Sequence, residues 1–353
     1  MDRVRHGDKS TMRKPCFLSL LATLLVAAGL TTTALASKGH GGQSRGDSRP
    51  ASYVIPGDQV FPEGIARVPN STRFFVGSTT DGTIFRGDLR APRMTSFAAP
   101  GADGRTTAVG MKADRRGRLV VAGGATGRIF VLSTDNGSTL KVLDTQPGTS
   151  PTFLNDVVIA GGFAYVTDSQ RPILFRFALG RKGTIGALER FVDFTGTPFA
   201  FTTGFNANGI TASRDGRRLT IVQTNTGRLF RVDTRTKAVS QIDLGGVLLT
   251  NGDGLLQDDR RLYVVRNQEE LIVPVRLSRD GRSGTVGTAV TGPQLQFPTT
   301  IAQDGRRLLA VGSQFDRQSA GLPPELPFNV AAITAPPIRA GGDHRRHGGR
   351  GHR

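Results

Sequence analysis

The apolar positions of this chain fall in short runs, and the runs repeat. RLVVAG from Arg118, FAYVTD from Phe163, RLTIVQ from Arg218, RLYVVR from Arg261 and RLLAVG from Arg307 are β-branched and aromatic segments of strand length. A turn precedes each, in most cases charged and often Asp-Gly-Arg-Arg, as at 215–218 and 304–307. A second tight turn, often Thr-Gly-Arg, leads into a third strand such as RIFVLS from Arg128 or RLFRVD from Arg228. Ahead of each run lies a short apolar strand opened by a turn-like motif. The motifs are Pro-Glu63-Gly, Val-Gly110-Met, Leu-Asn155-Asp156, Ala-Asn208-Gly, Gly-Asp253-Gly and Pro-Thr299-Thr300, spaced by 47, 45, 53, 45 and 46 residues. Fourth strands fit the gaps: MTSFAAP from Met94, LKVLDT from Leu140, ERFVDF from Glu189, VSQIDL from Val239 and GTAVTG from Gly287.

Four short strands per unit of about 45 residues predict an all-β fold, a six-bladed β-propeller with four-stranded blades. A β-sandwich would not explain so regular a period. The sixth unit lacks a fourth strand after FNVAAI (328–333), while ASYVIP (51–56) stands before the first unit. The N-terminal segment is therefore expected to close the ring and hide its open edges.

The ends of the chain are of another kind. Five bases precede the apolar run 16–28, and Ala34-Leu35-Ala36 is a small-x-small cleavage pattern. Residues 1–36 thus predict an export signal, with an uncleaved membrane anchor as the alternative. Residues 37–50 are Gly/Ser/Arg-rich and predict a flexible linker. The propeller is expected over 51–336, and 337–353 predicts a disordered basic Gly/Arg/His tail. The expected location is outside the cell, without a lipoprotein cleavage site, since Cys16 opens the apolar run rather than following it.

Removing 1–36 removes the single cysteine, so no disulfide or thiol chemistry remains. The five histidines are His6, His40, His344, His347 and His352, and tryptophan is absent. The region between 41 and 343 therefore excludes a Ser-His-Asp triad, a Cys-His pair and an ordinary zinc site. Of the net charge of +18, the signal, linker and tail carry +3, +2 and +4, which leaves +9 on the propeller. An Arg-rich exterior of that kind suits an anionic cell-surface polymer, or is simply a solvated surface. Specific nucleic-acid binding is not expected, because basic and aromatic residues do not interleave. A monomer is expected.

In a propeller the first strand of every unit runs along the central channel, so the six opening motifs converge. Four of them offer Glu63, Asn155, Asn208 and Asp253, two carboxylates and two amides. That is a donor set for a hard cation such as calcium, and the lack of His and Cys argues against zinc or copper. Each residue alone also reads as an ordinary turn residue. It is their common phase in the repeat that favours a metal site. Asp215-Gly216, Asp280-Gly281 and Asp304-Gly305 sit at other phases and read as structural turns.

Phe-Pro-Glu63-Gly, Asn155-Asp156, Asn208-Gly-Ile and Asp253-Gly, in this order over residues 55–333, resemble the senescence marker protein/gluconolactonase family, with the paraoxonase and drug-responsive lactonase branches as relatives. The resemblance implies a divalent cation, usually calcium, at the channel end, with Glu63, Asn208 and Asp253 matching metal ligands. Asn155 matches a position that is a ligand in some members and faces substrate in others. It implies hydrolysis of lactones or related esters, with Asp156 and Asp253 as the catalytic carboxylates and Asn155 and Phe153 on the substrate side. Phe153 stands where the sugar-lactonase branch has an arginine, which weighs against a sugar-acid lactone. Gly64 stands where the paraoxonase branch has an acid, which weighs against a second buried cation. A non-catalytic binding propeller with a structural ion is the competing expectation.

Overall fold

A computed structural model of the protein describes residues 49–337. The segment 1–36, nearly all of 37–50 and the tail beyond Pro337 lie outside the described residues. A short strand β1 (Ser52–Val54) comes first. It is followed by β2 (Pro62–Arg67), β3 (Arg73–Ser78), β4 (Ile84–Asp88) and β5 (Ala91–Ala98). Next are β6 (Met111–Ala113), β7 (Arg118–Ala122), β8 (Arg128–Ser133) and β9 (Thr139–Asp144). Then come β10 (Leu154–Ala160), β11 (Phe163–Asp168), β12 (Ile173–Ala178) and β13 (Glu189–Asp193). The fourth group is β14 (Ala207–Ala212), β15 (Arg218–Gln223), β16 (Arg228–Asp233) and β17 (Val239–Ile242). The fifth is β18 (Gly252–Asp258), β19 (Arg261–Arg266), β20 (Leu271–Leu277) and β21 (Gly284–Val286). The last strands are β22 (Pro298–Asp304), β23 (Arg307–Gly312) and β24 (Asn329–Thr334), with a one-turn helix α1 (Phe315–Ser319) before β24.

Strands β6–β9, β10–β13, β14–β17 and β18–β21 form four separate four-stranded antiparallel sheets. The remaining strands join into one eight-stranded sheet in the order β2-β3-β4-β5-β1-β24-β23-β22. In it β1 pairs antiparallel with β24, Tyr53 opposite Val330, and meets β5 in parallel only at Val54 and Arg93. The first strands touch one another in succession, β2 to β6, β10, β14, β18 and β22, and β22 returns to β2. This is an all-β propeller, and its strands follow the repeat in the sequence.

One strand departs from expectation. The fourth strand of the fifth sheet was expected from Gly287 but is β21, three residues earlier. Gly287 donates to the Pro274 carbonyl at 2.8 Å, and Pro274 has no N–H to return, so the ladder stops there. Val290 keeps only an isolated bridge to Ile272.

The apolar core is divided among the gaps between successive sheets. Between the third and fourth sheets, Phe194, Phe199 and Phe230 stack with centroids 4.6 and 4.3 Å apart. The last gap holds β1: Tyr53 is fully buried edge-on to Phe74 at 5.1 Å, and its hydroxyl donates to the Leu89 carbonyl. Outside this gap the buried Asp304 carboxylate binds Arg49, Arg67 and Arg307 at 2.7, 3.0 and 2.7 Å. Three guanidinium groups from distant parts of the chain thus share one carboxylate where the ring closes.

Candidate metal centre and ligand cavity

Five of the six opening motifs are not turns but lie inside the first strands, each at a β-bulge, while Gly110 is a bend just before β6, whose ladder is regular. Pro62 faces Ser78 and Ile65 faces Val76, so Glu63 and Gly64 together oppose one residue of β3. The same two-against-one irregularity holds Asn155-Asp156, Asn208-Gly209, Asp253-Gly254 and Thr299-Thr300. A bulge bends the strand and re-aims a side chain that the pleat would otherwise send into the gap between sheets. Where glycine fills its second position, neighbouring first strands press together. A Cβ at Gly64 or Gly209 would collide with the carbonyl of Val109 or Asp253. Phe61 and Phe297, each just before a Pro that opens a first strand, take φ of 39° and 49°. For a bulky residue that conformation costs about 1–3 kcal/mol and is held only by its surroundings.

The bulges bring Glu63, Asn155, Asn208 and Asp253 to one end of the channel, each no more than 5 % exposed. Their orientation is set by hydroxyls at the ends of the second strands. Asn155 Nδ2 donates to Ser169 Oγ at 3.0 Å, and that hydroxyl donates its one hydrogen to the Ala207 carbonyl at 2.7 Å. Asn208 Nδ2 donates to Thr224 Oγ1 at 3.0 Å, and Thr224 donates to the Gly252 carbonyl at 2.7 Å. A hydroxyl has one hydrogen, so Ser169 and Thr224 can only accept from the amides. Both amide oxygens are thereby turned away from the hydroxyls. Asn155 Oδ1, Asn208 Oδ1 and Glu63 Oε2 are all buried without a hydrogen-bond partner. Buried acceptors are nearly always satisfied, so three orphans in one place call for a cation or a donor. Asn267 Nδ2 holds Asp253 Oδ2 at 3.0 Å in the same manner.

These supporting residues were missed in the sequence. Their signal was present: Ser169, Thr224, Asn267 and Ser313 follow the second strands at a matching phase of the repeat.

The electrostatics agree with the geometry. Burial raises the Glu63 carboxyl well above its ordinary range, and the charges of Asp253 and Asp156 raise it further. Asp253 is pushed up to about 7, first by burial, against the opposing bond from Asn267. Carboxylates crowded in this way without a counter-charge resist ionisation, and a divalent cation removes that resistance. Among the described residues no three His, Cys, Asp or Glu side chains form a metal-binding group. The candidate set rests on two carboxylates and two amides, which oxygen-preferring calcium accepts and zinc does not.

Asp156 stands apart. Its Oδ1 accepts from the Val157 N–H at 2.7 Å and its Oδ2 from the Ile210 N–H at 2.9 Å. It is buried, its carboxyl is raised by burial, and its side chain does not line the cavity above the site. In this arrangement Asp156 straps the first strand of the third sheet to that of the fourth. Thr299 and Thr300 do the same at the ring closure, both donating to the Glu63 carbonyl.

The four side chains form the floor of a cavity of about 520 Å3. Phe153, Phe205, Phe297 and Phe315 stand around it, with Thr79, Thr107, Asn251 and Gln268 between. Phe153 and Phe205 meet edge to face at 5.0 Å, and Phe205 is 41 % exposed at the mouth. Among the described residues, Glu63 and Asp253 are the only ionisable side chains that line it. The shape suits a ligand with a small oxygen-bearing head and an apolar body.

No protein-family model matches the chain, and no curated protein matches it. Solved structures do match. Regucalcin, a calcium-binding protein from Agrobacterium tumefaciens, is 18 % identical with a TM-score of 0.56, over 81 % of this chain and 98 % of that one. The Malassezia sympodialis allergen Mala s 1 is 13 % identical with a TM-score of 0.58, over 80 % and 96 %. An inactive virginiamycin B lyase from Staphylococcus aureus, solved with quinupristin, is 15 % identical with a TM-score of 0.52, over 73 % and 80 %. At these identities the likeness is one of fold.

Proposed function

We propose that this chain is an exported, monomeric, six-bladed propeller that hydrolyses lactones or related esters with the help of a calcium ion. The eight-stranded sheet is read as two blades joined edge to edge through β1, which with the four separate sheets makes six. Glu63, Asn155, Asn208 and Asp253 would hold the ion. The observation that carries this is the set of three orphaned oxygens beside Asp253, on Glu63, Asn155 and Asn208. The likeness to a calcium-binding propeller is consistent with it.

A calcium ion held there would supply positive charge to polarise an acyl carbonyl and steady the oxyanion that develops. The remaining work falls to the chain. Phe153, Phe205, Phe297 and Phe315 seat the apolar part of the substrate and thin the water around the acyl group. Asp253 accepts the proton of the attacking water at Oδ1, while Asn267 keeps its Oδ2 occupied. The ester C–O bond breaks, the proton passes to the leaving alkoxide, and acid and alcohol are the products. Asp156 is assigned a structural role instead of the catalytic one expected from its motif. Phenylalanine at 153 favours an apolar lactone over a sugar acid.

A second reading has a specific observation in its favour. Both ionisable residues of the cavity, Glu63 and Asp253, belong to the donor set, so no free carboxylate remains as base. That arrangement suits a binding propeller with a structural ion. A panel of apolar and sugar lactones and aryl esters, assayed with calcium and with chelator, separates the two. Calcium-dependent turnover that is lost in Asp253→Asn supports the hydrolase. Calcium binding without turnover of any member supports the binding protein.

A further inference from the structure

The first strands that begin at the cavity end in the Asp-Gly-Arg-Arg hairpins, and a second cavity lies at that far end. It has a volume of about 440 Å3 and sits between the fourth and fifth sheets. Arg214, Arg218, Arg231, Arg260 and Arg279 line it, against Asp215 and Asp259. Asp215 is already engaged by the Ser213 hydroxyl at 2.6 Å and the Arg217 N–H at 3.1 Å.

The guanidinium groups are engaged only loosely, Arg214 reaching Asp258 at 3.5 Å. Arg231 is only 16 % exposed, lies 3.5 Å from Asp233, and its Nε is buried without a partner. Arg218 donates one hydrogen bond, to the Arg279 carbonyl at 2.8 Å. Arg218 and Arg231 both pass beside Gly281, where a Cβ would lie 3.9 and 3.7 Å from their Cδ atoms. Among the described residues the side chains of Arg260 and Arg279 make no ion pair. Five arginines here face four aspartates, Asp215 and Asp259 in the lining and Asp233 and Asp258 in long pairs of 3.5 Å, which leaves an excess of positive charge that suits an anion.

The corresponding cavity between the second and third sheets shows what is missing. There Arg118 opens the second strand, as Arg218 does here, and it is paired with Asp114 at 2.7 Å. It also donates to the carbonyls of Gly180 and Thr184. The Asp114 N–H donates to the Arg118 carbonyl just as the Ser213 N–H donates to the Arg218 carbonyl. Serine therefore stands in the fourth sheet where the second has the neutralising acid.

We infer that this cavity is an anion site that takes a phosphoryl group from solution, with the half-buried Arg231 and Arg218 as its donors and Arg260 at its rim. Arginine forks match the oxygens of phosphate in pairs, which lysine cannot do. The site is independent of the calcium centre.

The test is calorimetric titration of the full chain, in chelator and at constant ionic strength, with inorganic phosphate, glycerol phosphate and dimethyl phosphate. Saturable binding with one site is expected for phosphate or its monoester. Binding of monoesters alone assigns a small phosphorylated ligand, and binding of the diester as well assigns a phosphodiester chain. Arg231→Gln and Arg260→Gln should each weaken binding at least tenfold, while exposed Arg93→Gln on β5 and Asp253→Ala leave it unchanged. Arg260→Gln removes no internal hydrogen bond, so it remains informative if Arg231→Gln folds poorly. Absence of saturable binding by the wild type, or wild-type affinity in Arg260→Gln, overturns the inference.

Discussion

The two ends of the first strands are chemical opposites. At their beginnings, buried oxygens of Glu63, Asn155 and Asn208 lack donors. At their ends, the buried Nε of Arg231 lacks an acceptor. The same strands and the same repeat build both. What differs is the local device: a bulge aims short oxygen-bearing side chains at the axis, whereas at the far end long arginines from the hairpins, from the start of β15 and from within β16 gather between sheets. A propeller thus tolerates unmatched polarity at its ends because the gaps between its sheets carry the apolar core. Loss of a partner at either end is local, and each end should respond to its own ion.

The largest expected effect is that of pH on the metal-free protein. Well below its ordinary value of 3.8 the Asp253 carboxyl is protonated folded or unfolded. Between its ordinary value of 3.8 and its folded value of about 7, the unfolded chain ionises first, so the folded state holds more protons and stability falls as pH rises. The swing from this group is on the order of 4 kcal/mol, and Glu63 and Asp156 act in the same direction. Thermal melts in chelator should decline from pH 4 to 7, and saturating calcium should flatten the decline. A flat profile in chelator would remove the idea of crowded, uncompensated carboxylates.

Next is Asp253→Ala. Calcium at a hundred times its dissociation constant should stabilise the wild type by about 2.7 kcal/mol, read as a rise of several degrees in melting temperature. Asp253→Ala should show no rise. Asn267→Ala should fold normally and weaken calcium by about 10- to 100-fold, the usual consequence of freeing a ligand from its support. Titration calorimetry measures it, and unchanged affinity would show that Asn267 does not orient Asp253.

Asp156→Ala separates strap from catalyst. It leaves the N–H groups of Val157 and Ile210 unpaired and should cost about 1–3 kcal/mol of stability, seen by urea denaturation, while the calcium response survives. Loss of that response would return Asp156 to the metal site. The smallest change is at the far end. Ser213→Asp places beside Arg218 the acid that Arg118 already has, and should weaken phosphate about tenfold, near 1.4 kcal/mol, with calcium binding untouched.

Much of this was legible in the sequence. Runs such as RLTIVQ and RLYVVR mark strands because a strand buried on both faces needs β-branched residues throughout. The phase of Glu63, Asn155, Asn208 and Asp253 marks a common height in the ring because each repeat places its first strand alike. The lack of His and Cys between residues 41 and 343 limits the chemistry there to oxygen donors. Other features were hidden. Asn155 and Asp156 are adjacent and both polar, yet one faces the cavity and the other straps two sheets, because the bulge turns them differently. Which amide atom faces the axis depends on Ser169 and Thr224, whose single hydrogens are claimed by the next strand's carbonyls. The arginine cavity joins hairpins about sixty residues apart, Arg218 to Arg279. Sequence periodicity records what each strand buries, and so it determined the fold and the height of the site. Only the tertiary structure brought separate repeats into contact, and that decided which atoms are left without partners.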